Sequence, residues 1–163
     1  MAIRLADAAA TEEFGRALAA PLAAGCRKAP LLLELEGPLG AGKTTLARGL
    51  LRGLGHAGRV RSPTFTLLEP YDLADCQLVH LDLYRLADPA ELDYLGLVDV
   101  LGPGTLALVE WPERGGDRLP AADLRLALDY DGPGRQLRCE ALSPAGRGVL
   151  AAPGPWRAEA VGP

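Results

Sequence analysis

Lys43, Thr44 and Thr45 follow the glycine-rich turn Gly37-Pro38-Leu39-Gly40-Ala41-Gly42, giving the pattern G-x-x-x-x-G-K-[ST] of a phosphate-binding loop. The spacing has a physical reason. Phosphate needs several backbone N–H groups turned inward, and glycines let the chain curl without Cβ atoms blocking the approach. A helix opening at Lys43 adds unpaired N–H groups and the positive end of its dipole. Lys43 can then reach the outer phosphates, and the Thr44 hydroxyl suits a Mg²⁺ ligand. Chemistry at such a loop also needs an acid at a strand end, beside the phosphates. Two residues answer that need, Asp82 and Glu110, each closing an apolar run. Trp111 follows Glu110 directly; it can stack on a base, meet a partner or simply pack.

The elements that must position these groups come in the required order. Leu31-Leu32-Leu33-Glu34-Leu35 is a short apolar run closed by Gly-Pro, as a strand buried in a parallel sheet would be. From Thr45 to Leu54, the leucines at 46, 50, 51 and 54 keep helical spacing, and Gly55 stands where a C′ glycine would. Gln77 to Asp82 and Thr105 to Glu110 read as two further strands. His80 alternates with Leu81 and reads as a satisfied strand residue rather than a base. Between the helix and these strands, Arg61 to Tyr71 is a β-branched and aromatic run bracketed by Pro63 and Pro70, extended in character. In phosphate-loop enzymes this segment often senses the γ-phosphate, so Thr64 is a candidate for the site, although Ser62-Pro63-Thr64 alone is an ordinary turn.

At the N-terminus, Ile3-Arg4-Leu5 suggests a short edge strand. Asp7 or Thr11 caps a helix through Ala24, with Phe14, Leu18 and Leu22 on one face. Asp88-Pro89 opens a helix or turn that Gly96 closes. The last third alternates from Leu124 to Tyr130 and again from Gln136 to Ala141 around Asp131-Gly132-Pro133-Gly134, the pattern of a β-hairpin. A short helix is expected from Gly146 to Ala152. The expected architecture is α/β: a three-layer sandwich of the phosphate-loop NTPase type, with a mostly parallel sheet and a C-terminal antiparallel hairpin. One domain covers residues 1–152, and the Pro-, Gly- and Ala-rich stretch from Pro153 to Pro163 is expected to be loosely ordered.

Composition narrows the function classes. With 163 residues, 48% hydrophobic and 23% charged, the chain can bury a sizeable core. A formal net charge of −4, with lysine only at positions 28 and 43, argues against general attraction to nucleic acid. Cys26, Cys76 and Cys139 form neither a disulfide framework nor a metal pattern. No apolar run is long enough to cross a bilayer, and a cytoplasmic location is expected.

Four blocks resemble the TsaE family, formerly called YjeE: Gly37 to Thr45, Ser62-Pro63-Thr64-Phe65-Thr66, His80-Leu81-Asp82-Leu83-Tyr84-Arg85, and Glu110-Trp111-Pro112-Glu113. The resemblance runs from about Thr11 to Leu150. It implies an ATPase needed for N6-threonylcarbamoyladenosine beside the anticodon of bacterial tRNAs that read codons beginning with A. It also implies a partner pair, TsaB and TsaD, in which TsaD transfers the group while the family protein hydrolyses ATP; tRNA would be met only through the assembly. By the same resemblance, Gly37 and Gly40-Ala41-Gly42-Lys43-Thr44-Thr45 hold the phosphates, and Thr44 and Glu110 ligate Mg²⁺. Thr64 belongs to a switch-like segment, and Asp82 positions water or metal. Trp111 lies beside the nucleotide, and Thr11 touches it. No arginine finger is identifiable; Arg85 and Arg114 are candidates only by nearness to the acids.

Three other classes are to be weighed on sequence. A stand-alone small-molecule kinase would need an arginine-rich lid and an acceptor pocket, which the hairpin resembles in neither respect. A GTP switch would need N-K-x-D, and the chain contains no asparagine. A nucleotide-binding scaffold without activity is the third.

Overall fold

The computed structural model describes residues 1–60, 63 and 65–157. Thr64 and Ser62 lie outside the described residues, as does the last stretch from 158 onward.

The apolar run ahead of the glycine loop is β2 (Leu31–Glu36), and its first five residues are all buried. β2 lies at the centre of a seven-stranded sheet. The other strands are β1 (Ala2–Leu5), β3 (Leu68–Asp72), β4 (Gln77–Asp82), β5 (Thr105–Glu110), β6 (Leu124–Asp131) and β7 (Gly134–Ala141), in the order β1-β7-β6-β2-β5-β4-β3. β6, β2, β5 and β4 run parallel to one another. The expected hairpin, β6 and β7, is antiparallel and joins the sheet through β6. The sheet is therefore mixed. β3 adds an antiparallel edge beside β4, and β1 adds another beside β7. Pro70 sits within β3, where its missing N–H is tolerated because the strand has one neighbour only.

Each face of the sheet carries its own apolar cluster. On one, Leu31, Leu33, Leu35, Leu78, Leu106 and Leu108 meet α1 (Ala8–Gly25) and α2 (Lys43–Gly53). Asp7 caps α1, accepting from the Ala10 N–H at 2.8 Å, and Phe14, Leu18 and Leu22 face the core. α1 and α2 cross closely because both are notched. A Cβ on Gly15 would strike the Leu46 carbonyl, and one on Gly49 would strike that of Glu12. On the other face, Leu32, Val79, Leu81, Ala107 and Val109 are covered by short pieces: 3₁₀ turns at Pro89–Tyr94 and Pro112–Arg114 and the four-residue α3 (Leu97–Val100). Asp88 and Glu91 form a capping box at the first of these turns, which accounts for its start.

The end of the chain departs from expectation. After α4 (Pro144–Ala151), Pro155–Arg157 forms a further 3₁₀ turn, and Trp156 is fully buried. Its ring meets Phe14 edge-on at 5.8 Å, and its Nε1 donates to the carbonyls of Leu150 and Ala152, both at 3.1 Å. Loose order from Pro153 is therefore corrected through Arg157. The aromatic ring finds enough apolar area on α1 to fix a stretch whose composition alone suggested disorder. Among the described residues, no helix is long and apolar enough to cross a membrane.

Candidate functional site

The loop between β2 and α2 carries the strongest local signal in the sequence, and its glycines take up backbone angles that other residues rarely adopt. Gly37 has φ +141° and Gly42 has φ +104°, values that a side chain would strain. Gly42 is the N-cap of α2, and its carbonyl accepts from the Leu46 N–H at 2.9 Å. The C-terminal hairpin holds the loop from outside. The Tyr130 hydroxyl donates to the Leu39 carbonyl; Arg135 donates from Nε to the Ala41 carbonyl at 2.8 Å and from Nη2 to that of Gly40 at 3.1 Å. With these carbonyls already satisfied, an anion in the cleft competes with no unpaired loop oxygen on that side.

Lys43 is buried, and its Nζ donates to the carbonyls of Gly37 at 2.7 Å and Pro38 at 3.0 Å. The ammonium also stands 4.2 Å from the centroid of the Trp111 ring. Burial lowers its pKa, while the charges of Glu110, Asp82 and Glu113 act against that fall. A cation that would gain from a further anion thus waits at the N-terminus of α2.

Asp82 and Glu110 are partners in register at the C-terminal ends of β4 and β5, on the same face of the sheet as α2. Asp82 accepts from the Tyr84 N–H at 3.0 Å, an interaction that fixes the start of the following turn. Glu110 is nearly inaccessible and meets His80 Nε2 at 2.9 Å through Oε1. Directly after it, Trp111 has φ +57° and ψ +50°, the left-handed region, in front of Pro112. That conformation is uncommon for a bulky side chain, and here it turns the ring beside Lys43 and Tyr84. The ring of Tyr84 lies 4.9 Å from that of Trp111.

These groups line one cleft of about 480 Å³, which brings together Gly40, Gly42, Lys43, Thr44, Thr45, Asp82, Glu110 and Trp111 among the expected site residues. Arg85 also lines it. Arg114 does not, and instead stands over the Tyr84 ring at 5.4 Å. Gly37 and Ala41 support the loop from behind. Ala41 is fully buried, and the Gly37 backbone passes the Leu128 carbonyl. Thr11 lies on the other side of the loop, in a smaller cleft of about 180 Å³ shared with Gly40, Gly42, Thr45 and Arg135. Its hydroxyl donates to the Asp7 carbonyl at 2.9 Å. Thr64 lies outside the described residues.

Four contributors escaped the sequence: His80, Tyr84, Tyr130 and Arg135. His80 was legible only as a strand residue. Its place on the Asp82 face followed from alternation, but its bond to Glu110 depends on which strand lies beside β4.

Residues 5–137 match the family model described as "Threonylcarbamoyl adenosine biosynthesis protein TsaE". The chain belongs to the TsaE family. It is 42% identical over 139 residues to a Haemophilus influenzae protein named tRNA threonylcarbamoyladenosine biosynthesis protein TsaE, covering 85% of this chain and 88% of that one. A Streptomyces coelicolor protein of the same name is 45% identical over 120 residues, covering 72% and 77% respectively. Among solved structures, the crystal structure of Bacillus subtilis YdiB superposes with a TM-score of 0.70 at 27% identity, over 92% of this chain and 90% of that one. The family match runs from the last residue of β1 to the first half of β7, and so takes in the loop, both acids and the hairpin residues that brace the loop.

Proposed function

We propose that this chain is a Mg²⁺-dependent ATPase of the phosphate-loop type, serving the formation of threonylcarbamoyladenosine in tRNA, the process named in its relatives. The observation that carries the reading is the cleft itself. A buried lysine opens α2 on one side, and two strand-end acids paired in register face it on the other.

The donor set suits Mg²⁺. Among the described residues, no three His, Cys, Asp or Glu side chains cluster to hold a metal unaided. Mg²⁺ in phosphate sites takes one or two protein ligands and completes its shell with phosphate and water, and Thr44 with Glu110 supplies that number. When bound, the ion would neutralise charge on the outer phosphates. The chain's own residues do the rest. Lys43 exchanges the Gly37 and Pro38 carbonyls for phosphate oxygens, a stronger charge-assisted pairing. Asp82, at the adjacent strand end, would orient a water beside the outer phosphates. Trp111 and Tyr84 wall the cleft and limit its wetting.

No residue of the cleft other than Arg85 and Lys43 brings positive charge to it among those described, so a partner that completes or orders the site fits the geometry. We take that partner to be the TsaB–TsaD pair, with tRNA reached only through the assembly, in the cytoplasm. The test is phosphate release from ATP by the purified chain, alone and with the cognate pair. Slow release that the pair accelerates supports the reading. Full activity alone, or transfer of the phosphoryl group to a small acceptor, favours a stand-alone kinase instead.

A further inference from the structure

His80 occupies the middle of β4 with no solvent exposure, two residues before Asp82 on the same face of the sheet. Its apolar neighbours on that face include Leu78 in β4 and Leu106 and Leu108 in β5, so packing against them would be met by another aliphatic residue. A buried imidazole carries a desolvation cost that leucine does not. The cost is visible here: Nδ1 has no hydrogen-bond partner, the one buried side-chain nitrogen or oxygen among the described residues in that state. What the histidine gains is Glu110, whose Oε1 lies 2.9 Å from Nε2. A carboxylate only accepts, which assigns the proton to Nε2 and leaves Nδ1 as a bare lone pair, a cheaper orphan than an N–H.

The geometry points to His80 as a positioning residue for Glu110. Its Nε2–H takes one carboxylate oxygen and fixes the plane of the group, leaving the other oxygen to a Mg²⁺ ion in the cleft that Glu110 lines. The inference rests on the nucleotide reading of that cleft. It predicts that the length of the donor at position 80 matters. A glutamine amide reaches about as far as Nε2, whereas an asparagine amide stops near Nδ1.

The test compares His80→Gln with His80→Asn, two amides of the same chemistry. Titration calorimetry with a non-hydrolysable ATP analogue, in Mg²⁺ and in EDTA, gives the Mg²⁺-dependent gain in affinity. Paramagnetic titration with Mn²⁺ reads the metal without turnover. His80→Gln should keep the gain to within about threefold, and His80→Asn should lose about tenfold or more, with affinity in EDTA unchanged. Equal gains in the two variants, or equal losses, overturn the inference. Mg²⁺ dependence in the wild type that His80→Asn retains overturns it alone. A wild type whose affinity ignores Mg²⁺ overturns the nucleotide reading along with it. Should either variant fail to fold, nitrogen NMR of the wild-type imidazole decides the donor directly: an Nε2–H tautomer is expected, and an Nδ1–H tautomer overturns the assignment.

Discussion

The ammonium of Lys43 stands 4.2 Å from the centre of the Trp111 ring while both of its hydrogen bonds go to carbonyls of its own loop. The ammonium is thus paired within its own loop, and on the proposed function a phosphate would have to displace that pairing. Trp111 is held beside the cation by a left-handed backbone between Glu110 and Pro112, so the ring marks the state of the lysine.

One consequence is optical. Binding of ADP with Mg²⁺ should draw the ammonium from the ring and change the tryptophan emission. The chain has two tryptophans, and Trp156 is fully buried behind α1, far from such a change. Trp111→Phe should abolish the signal on titration. A signal that survives this substitution would place its source elsewhere.

The two acids should separate in their effects. Glu110→Ala should weaken the Mg²⁺ dependence of nucleotide binding, because the proposed metal ligand is lost. Asp82→Ala should lower turnover more than affinity, if it orients water. Kinetics across a Mg²⁺ series distinguish the two. A shifted Mg²⁺ requirement in Asp82→Ala alone would reverse the assignment.

How much of this was readable beforehand follows from the range of each interaction. The β2–loop–α2 unit is local, so glycine spacing and leucine periodicity were enough to place Lys43 and Thr44. Asp82 and Glu110 were legible because both strands are buried runs that end on an acid. Pairing across the sheet is a tertiary fact, and neither His80 against Glu110 nor Tyr130 and Arg135 against the loop could be seen from spacing. The hairpin residues reach the loop from more than 90 positions away. Trp156 was missed for a different reason. A short proline-rich stretch has no periodicity, and only the apolar surface of α1 gives its ring a place.

That last contact should be measurable. Trp156→Ala removes a fully buried indole that packs on Phe14 and should cost about 3–5 kcal/mol of stability, as large-to-small changes in cores do. Chemical denaturation reads the loss. A change below about 1 kcal/mol, the scale of ordinary surface substitutions, would show that the docking contributes little.

Alkaline stability follows from the thiols. Burial pushes the Cys139 thiol up to about 12 and is the largest cause that takes Cys76 to about 11, from an ordinary value of 9.0. Folding raises the pKa of these acids, so the folded chain keeps protons that the unfolded chain has lost. Their contribution is whole below about pH 9 and is lost as pH rises, through about 11 for Cys76 and about 12 for Cys139. Each thiol should add a slope of roughly 1.4 kcal/mol per pH unit within its window. Denaturation of wild type and Cys139→Ala from pH 8 upward should show the variant falling less steeply. Parallel curves would contradict the shift.

The central claim is that the cleft binds nucleotide phosphates through Lys43. Calorimetric titration of ATP with Mg²⁺ into wild type and Lys43→Ala tests it most directly. Loss of a charge-assisted contact worth about 1.5–3 kcal/mol predicts roughly a 10- to 100-fold weaker affinity. The fold should survive, because Lys43 bonds only to loop carbonyls and reaches into the cleft. Unchanged affinity in a folded Lys43→Ala chain would contradict the account.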